Sequence, residues 1–504
     1  MLLRLALYFA LALAFQCETA IVTPRADSAA WLFMAQRQQS GEMPGRDLWD
    51  NKLPPIYLVG RAAVATGHPQ IFLWLLEAAL TAAGAVAIAR VVDQSKANLK
   101  QSTRPGTIAG AILCVASGAV SYHAGGYMTE TYAMPLAAIA AWCTLHTLEP
   151  RRSYFFSVLS GALWTLAVSF RLPLGLAAVG VAGFSIIPSV DHSRRLFRVG
   201  CHTIGIAAGL LVVFAHPIIA GYLPACIDAA LLWPLGIGHV RTPGPLAPGT
   251  ADRLGDWAQD MFKLGWLHAA AVAGLVMGWR GGGRTSQVGA IWYLAALLSA
   301  AWGWASYAHY QYVALAPACL AIGLLIIELR PSPGRFMARA LIAVTVAIVG
   351  FQVVRETAGN RFAQEDADKR AAYEYARSQP LRGDAVFIWA WGRNADILYK
   401  LNRPTGVRHF MAHAYLDMDV TLFDEFVTEF IHAPPAWILE DTRRKKPSLS
   451  GTADSLIESR VPSLRTLREF VATGYTRVAA FGSWSIHRLN RQAADVPATQ
   501  STRP

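Results

Sequence analysis

Apolar residues recur in runs of about 16 to 22 from one end of the chain to the other, each bounded by Arg, Lys, Asp or Pro. That is the length a helix needs to cross roughly 30 Å of hydrocarbon. The runs lie near 4–22, 70–92, 107–122, 131–148, 154–169, 172–188, 200–221, 264–279, 287–303, 310–329 and 338–354, and they predict about eleven transmembrane helices. The first run follows Arg4 as a signal peptide would, yet it continues to Val22 with no Ala-x-Ala site behind it, so it reads as a retained helix. From about Arg355 the pattern shortens. Ala385–Ala390, Ala436–Leu439, Tyr475–Phe481 and Trp484–His487 read as strands, and 394–401, 420–432 and 463–473 carry helical periodicity. The fold class is therefore mostly α: a polytopic helix bundle over 1–354, a small α/β domain over 355–490, and a disordered polar tail over 491–504.

Composition agrees, and charge adds direction. Of the 504 residues, 54% are apolar and 15% charged, against roughly 25% charged in a soluble domain. Every second loop is short and basic, with Lys96, Lys100 and Arg104, then Arg151 and Arg152, Arg194, Arg195 and Arg198, Arg280 and Arg284, and Arg330, Arg335 and Arg339. The positive-inside rule makes these loops cytoplasmic. The N-terminus is then inside, and an odd number of spans places the C-terminal domain outside. The net charge of +12 is largely taken up by these loops, which accounts for it better than nucleic-acid binding does. Of the six cysteines, Cys226 stands alone in an outer loop and the others lie in apolar runs with no CxxC spacing, so neither a disulfide framework nor a metal cluster is indicated.

Candidate chemistry concentrates in the first outer loop, 23–69. Asp27 precedes an amphipathic stretch that Gly41 would close, and Pro54-Pro55 suits the first turn of a second helix running to about Thr66. Asp27 fits a general base or a helix N-cap. Around Trp49, Asp47, Asp50 and Lys52 offer both signs of charge. Lys52 can hold a phosphate and Trp49 can stack on a sugar, or the group is a solvated turn with Trp49 in the interfacial aromatic belt. Beyond this loop, Glu130 lies in the outer turn Tyr127–Glu130, and Arg171 interrupts two apolar runs. An arginine at membrane depth costs about 2.5–3.5 kcal/mol, so it pairs, snorkels or binds a ligand such as phosphate. His309 and Tyr310 open the helix that contains Pro317, as site residues or belt residues. There is no HExxH, GxGxxG or Walker loop, and Asp417-Met418-Asp419 imitates a nucleotide-sugar motif in a domain where no nucleotide sugar is expected.

Taken in order, Asp27, the run Asp47-Leu48-Trp49-Asp50-Asn51-Lys52-Leu53-Pro54-Pro55-Ile56-Tyr57, Thr129-Glu130, Phe170-Arg171-Leu172-Pro173 and His309-Tyr310 resemble the membrane glycosyltransferases of the GT-C superfamily, in the bacterial protein-mannosyltransferase-like and aminoarabinose-transferase-like branch. The resemblance covers nearly the whole chain. It implies a multi-pass enzyme of the bacterial inner membrane that takes a sugar from a polyprenyl-phosphate donor to an extracytoplasmic lipid, polysaccharide or protein acceptor. It further implies Asp27 as the essential carboxylate and Glu130 as a second catalytic residue, Lys52 and Arg171 on the donor phosphate, and Trp49, Asp50, Tyr57, His309 and Tyr310 lining the site. No cofactor is called for, although a divalent metal is compatible with it. Leu53 stands where the family often has a proline, and Arg171 where it often has a lysine. A flippase for lipid-linked oligosaccharides is the rival reading, and it lacks the duplicated halves common in transporters.

Overall fold

The computed structural model describes residues 1–22, 24, 26–95, 105–146, 153–186, 192–237, 249–280, 283–302, 307–329, 331–362, 367–379, 384–389, 395–442, 447–450 and 455–490. The tail expected to be disordered, 491–504, lies outside the described residues, as do the basic loop residues Lys96, Lys100, Arg104, Arg151, Arg152 and Arg330.

The chain is mostly helical with one small sheet near its C-terminus, and it forms two compact units. The first comprises Met1–Val22, Leu53–Ile219 and Gly249–Asn360; the second comprises Thr23–Lys52, Ala220–Pro248 and Arg361–Pro504.

In the first unit the predicted apolar runs fall on helices, among them Leu2–Phe15, Pro69–Ser95, Pro105–Ala116, Thr129–His146, Ser153–Phe170, His192–Ile219, Gly265–Arg280, Arg284–Ala301 and Pro331–Phe362. Among the described residues, three helices are long and apolar enough to cross a membrane by themselves: Pro69–Ser95, Arg195–Ile219 and Ala308–Glu328. Ala251–Phe262 and Gly265–Arg280, bent by 84°, add a fourth if taken together. Small residues let backbones meet, as between Ser153–Phe170 and His192–Ile219, where Gly161 abuts the His202 backbone and Gly205 that of Val158. Apolar side chains such as Leu211, Val212 and Ile219 remain exposed on His192–Ile219, as on a helix solvated by lipid. The proline pair starts the helix Pro55–Ala65, as the missing N–H of proline favours.

In the second unit the helix Ala26–Gln39 stops before Gly41, whose φ of 92° ends it. The sheet has strands β1 (Val386–Trp389), β2 (Trp437–Asp441), β3 (Tyr475–Phe481) and β4 (Trp484–Leu489) in the order β1-β2-β4-β3. β1 and β2 are parallel, whereas β4 runs antiparallel to both β2 and β3. Helices Ala395–Leu401 and Val420–His432 lie between β1 and β2 in sequence, as a parallel crossover requires, and helix Pro462–Gly474 precedes the β3–β4 hairpin. Phe387, Trp389, Phe423, Phe426, Phe430 and Tyr475 form the centre of its core.

One stretch read as loop, 222–263, contains helical turns over Leu223–Leu235 and a helix, Thr250–Phe262. Leu254, Trp257 and Met261 carry its helical spacing, but polar residues keep it from resembling a membrane-length run.

Candidate active site

Arg171 and Glu130 meet in the first unit. Thr129–His146 opens with Thr129 and Glu130, so the carboxylate stands in the first turn, where the helix dipole favours a negative charge. The Thr129 hydroxyl donates to Glu130 Oε2 at 3.0 Å. Ser153–Phe170 ends one residue before Arg171, which turns extended at φ −139° ahead of the short 3-10 turn Leu172–Leu174, with Pro173 in it. This swings the guanidinium to Glu130, with Nη1 3.3 Å from Oε1. Nη2 donates to the carbonyls of Ser299 at 3.2 Å and Trp302 at 3.4 Å, at the C-terminal end of Arg284–Ala301, where a helix collects unsatisfied carbonyls and partial negative charge. The Tyr310 ring closes the group, its centroid 3.6 Å from the guanidinium carbon.

Arg171 is 7% exposed and Glu130 1%. A buried pair of this kind offsets its desolvation cost only through such added contacts. Among the described residues, the buried Arg171 Nε has no hydrogen-bond partner, nor has either polar end of the neighbouring Gln311 or the Ser299 hydroxyl. Buried donors and acceptors left unpaired are costly, and they collect where a ligand or a second conformation supplies the missing partner. His309 stacks on Tyr307 at 5.4 Å and meets the Tyr310 edge at 4.7 Å, so the aromatic helix start is one packed group. Tyr57 is fully buried in the first turn of Pro55–Ala65.

The remaining predicted residues belong to the second unit. Asp27 is half-buried and lies inside the first turn of Ala26–Gln39, so it faces the helix dipole from within the helix instead of capping it from outside. Asp50 accepts the Trp31 indole N–H at 2.9 Å and the Asn51 backbone N–H at 2.7 Å, and Lys52 donates to the Asn51 side chain at 3.2 Å. Asp47 takes the Met43 backbone N–H at 2.8 Å and pairs with Arg46 at 2.7 Å. Partial burial would raise the Asp47 carboxyl, but Arg46 and the Met43 N–H outweigh it and hold the group below the ordinary carboxylate range. Trp49 corrects both sequence readings, the stacking platform and the belt residue. It is 7% exposed, set edge-on to Trp233 and Tyr415 at 5.1 and 5.2 Å, and its backbone N–H donates to Arg408. Its place in the aromatic core follows from a large indole flanked by Leu48 and Leu53, also buried.

Two further groups escaped the sequence reading. Asp419, set aside above, caps Val420–His432 through the Thr421 N–H and accepts the Trp233 indole N–H at 3.2 Å. Glu18, Glu77 and His123 form a buried cluster in the first unit. Glu77 is the one carboxylate amid the apolar run 70–92, and that isolation was the available signal. Among the described residues, no three His, Cys, Asp or Glu side chains are grouped as a metal site.

By sequence, no protein-family model and no curated protein matches the chain. Its backbone is similar to that of ArnT from Cupriavidus metallidurans in the apo state, with a TM-score of 0.60 at 12% identity over 97% of this chain and 98% of that one. The same protein bound to undecaprenyl phosphate gives 0.56, again at 12% identity and with the same coverage. The archaeal oligosaccharyltransferase AglB from Archaeoglobus fulgidus, solved with an inhibitory peptide and a dolichol-phosphate, gives 0.51 at 10% identity over 98% of this chain and 75% of that one. Through nearly its whole length, the chain has the fold that ArnT and AglB share with it.

Proposed function

We propose that the protein is a polytopic glycosyltransferase of a bacterial inner membrane that moves a sugar from a polyprenyl-phosphate donor to an extracytoplasmic acceptor, with inversion. The buried Glu130–Arg171–Tyr310 group carries this reading. In an outward-facing transferase the donor is lipid-anchored, since sugar nucleotides stay in the cytoplasm, and its phosphate is the leaving group. Such a reaction needs a cation on that phosphate and a carboxylate on the acceptor hydroxyl. Arg171 is a guanidinium already desolvated and oriented, with Nε unpartnered among the described residues, so a phosphate oxygen meets a preorganised charge. Glu130 holds it in place before the donor arrives. In the second unit, Asp27 is assigned the acceptor base and Lys52 a cation for the donor phosphate. Asp50, Tyr57 and His309 are assigned to substrate contacts; Trp49 is not, because its indole is committed to the core. The eleven crossings, the inner-membrane location and the periplasmic placement of the α/β domain belong to the same proposal. Undecaprenyl phosphate in ArnT and dolichol-phosphate in AglB, on a shared fold, support the donor class.

Mass spectrometry of envelope glycolipids and glycoproteins from a deletion strain tests the proposal. One sugar modification should disappear and return with the wild-type gene but not with an Asp27→Asn copy. Unmodified glycans together with lipid-linked sugar stranded on the cytoplasmic leaflet would instead establish the flippase.

A further inference from the structure

Glu77 stands in the membrane-length helix Pro69–Ser95 with no solvent exposure, a place where a carboxylate survives only if its oxygens are occupied. They are. Oε2 accepts from the Thr19 hydroxyl at 2.9 Å and lies 3.2 Å from His123 Nε2. Oε1 accepts the Tyr127 backbone N–H, the Thr131 hydroxyl at 3.3 Å and the Tyr132 hydroxyl at 3.2 Å. On its far side His123 faces Glu18, with Nδ1 3.8 Å from the carboxylate.

Four of those five partners belong to one segment, 123–132, which delivers Thr129 and Glu130 to the site. That segment is strained. Ala124 and Tyr127 adopt left-handed φ values of 53° and 52°, which side chains with a Cβ disfavour. Gly126 lies between them at φ 78°, pressed so closely on Thr19 that a side chain there would overlap its hydroxyl. Strain of this kind persists only where the surroundings over-determine it, and Glu77 bonds the turn before, within and after the strained residues. A second route runs through Tyr132, whose hydroxyl rests on Glu77 while its ring stacks on Phe170 at 5.2 Å, the residue before Arg171. Glu77 thus reaches Glu130 along the backbone and Arg171 through a ring stack.

We infer that Glu77 is the positioning residue of the Glu130–Arg171 pair: its buried carboxylate pins the strained turn and the Tyr132–Phe170 stack, and so fixes the guanidinium that meets the donor phosphate. This rests on the proposed phosphate role of Arg171. The test uses the full-length protein with undecaprenyl phosphate as probe, titrated by native mass spectrometry for wild type, Glu77→Gln, Arg171→Gln and the double variant, with amide hydrogen exchange over 123–132. Glu77→Gln should weaken binding about tenfold, and that penalty should vanish in the Arg171→Gln background, since residues acting through one group are non-additive. Exchange over 123–132 should quicken while the rest of Thr129–His146 holds. Tyr132→Phe removes one donor but keeps the ring on Phe170, so it should show a smaller loss in the same direction; it serves in place of Glu77→Gln if that variant does not fold. Additive penalties beside a binding-defective Arg171→Gln, or unchanged exchange over 123–132, would overturn the positioning role alone. Wild-type binding by Arg171→Gln would sink the phosphate site itself, and the positioning role with it.

Discussion

The loop 42–52 and the buried surroundings of Glu77 and Arg171 invert what charge density leads one to expect. In the loop, five charged residues stand in the eleven positions 42–52, four of them within 46–52, and their contacts are mostly local: Arg46 with Asp47, Asp47 with the Met43 N–H, Lys52 with Asn51. In the helical unit Glu77 is the one carboxylate of its apolar run, and it reaches across the fold to residues 46 to 58 positions away. Water makes a crowded loop inexpensive, because exposed pairs are screened and worth little. Hydrocarbon makes an isolated charge costly, so each one present needs a partner or a task. A sparse charge in such a run is therefore as strong a pointer to a task as a dense cluster in a loop.

The largest effect expected from this comparison separates Asp27 from its loop neighbours. Asp27→Asn should lower transfer by roughly 10²–10⁴-fold, the range for loss of a general base, with expression and melting temperature unchanged. In the same assay, made with membranes and a polyprenyl-phosphate sugar, Asp47→Asn should leave turnover near wild type. Equal losses in the two variants would mean that the loop acts as one electrostatic unit, and the contrast drawn above would fail.

A core role for Trp49 predicts loss of stability ahead of loss of binding. Trp49→Ala should destabilise the second unit by about 3–5 kcal/mol, as large-to-small changes at buried aromatics do, read as faster exchange in β1 and β2. Trp49→Phe should recover most of that. If Trp49→Ala keeps the strands protected yet weakens donor binding, Trp49 is a substrate contact after all.

Much of the architecture could be read from the chain because period and length are local signals. The helix at 55–65 starts where Pro54-Pro55 said it would, the helix at 26–39 starts one residue before Asp27 instead of after it, and all four strands lie within two residues of their predicted ends. Arg171 and Glu130 were visible as charges out of place, but their pairing was not, since it depends on where two helix ends come together in space. Trp49 was misread because an indole beside charges looks alike in a rim and in a core; only Trp233 and Tyr415, 184 and 366 positions later, decide the matter. Glu77 was overlooked for a different reason. Its partners are a backbone N–H and three hydroxyls besides a histidine, and hydroxyls in apolar helices carry no charge pattern.

The smallest effects concern carboxylates of the second unit, and they refine the comparison by placing a fully enclosed group beside the exposed one. Glu440 on β2 is inaccessible to solvent; burial would raise its carboxyl, but His487, then Ser448 and Ser450, pull it down to about 2 from an ordinary 4.5. A depressed carboxylate contributes stability that is complete above the unfolded value and is lost as pH falls through the folded one. Protection of β2 and β4 against exchange should therefore decline between pH 4.5 and about 2, and Glu440→Gln should flatten that slope. Asp47 is shifted in the same direction, yet its side chain is 35% exposed and its Arg46 partner 46%, so screening leaves the pair about 0–1 kcal/mol. Asp47→Asn should move the melting temperature of the full chain less than Glu440→Gln does, and added salt should erase the difference from wild type. A salt-resistant loss at Asp47 would show that its hold on the Met43 N–H, and not its pairing with Arg46, keeps the loop in shape.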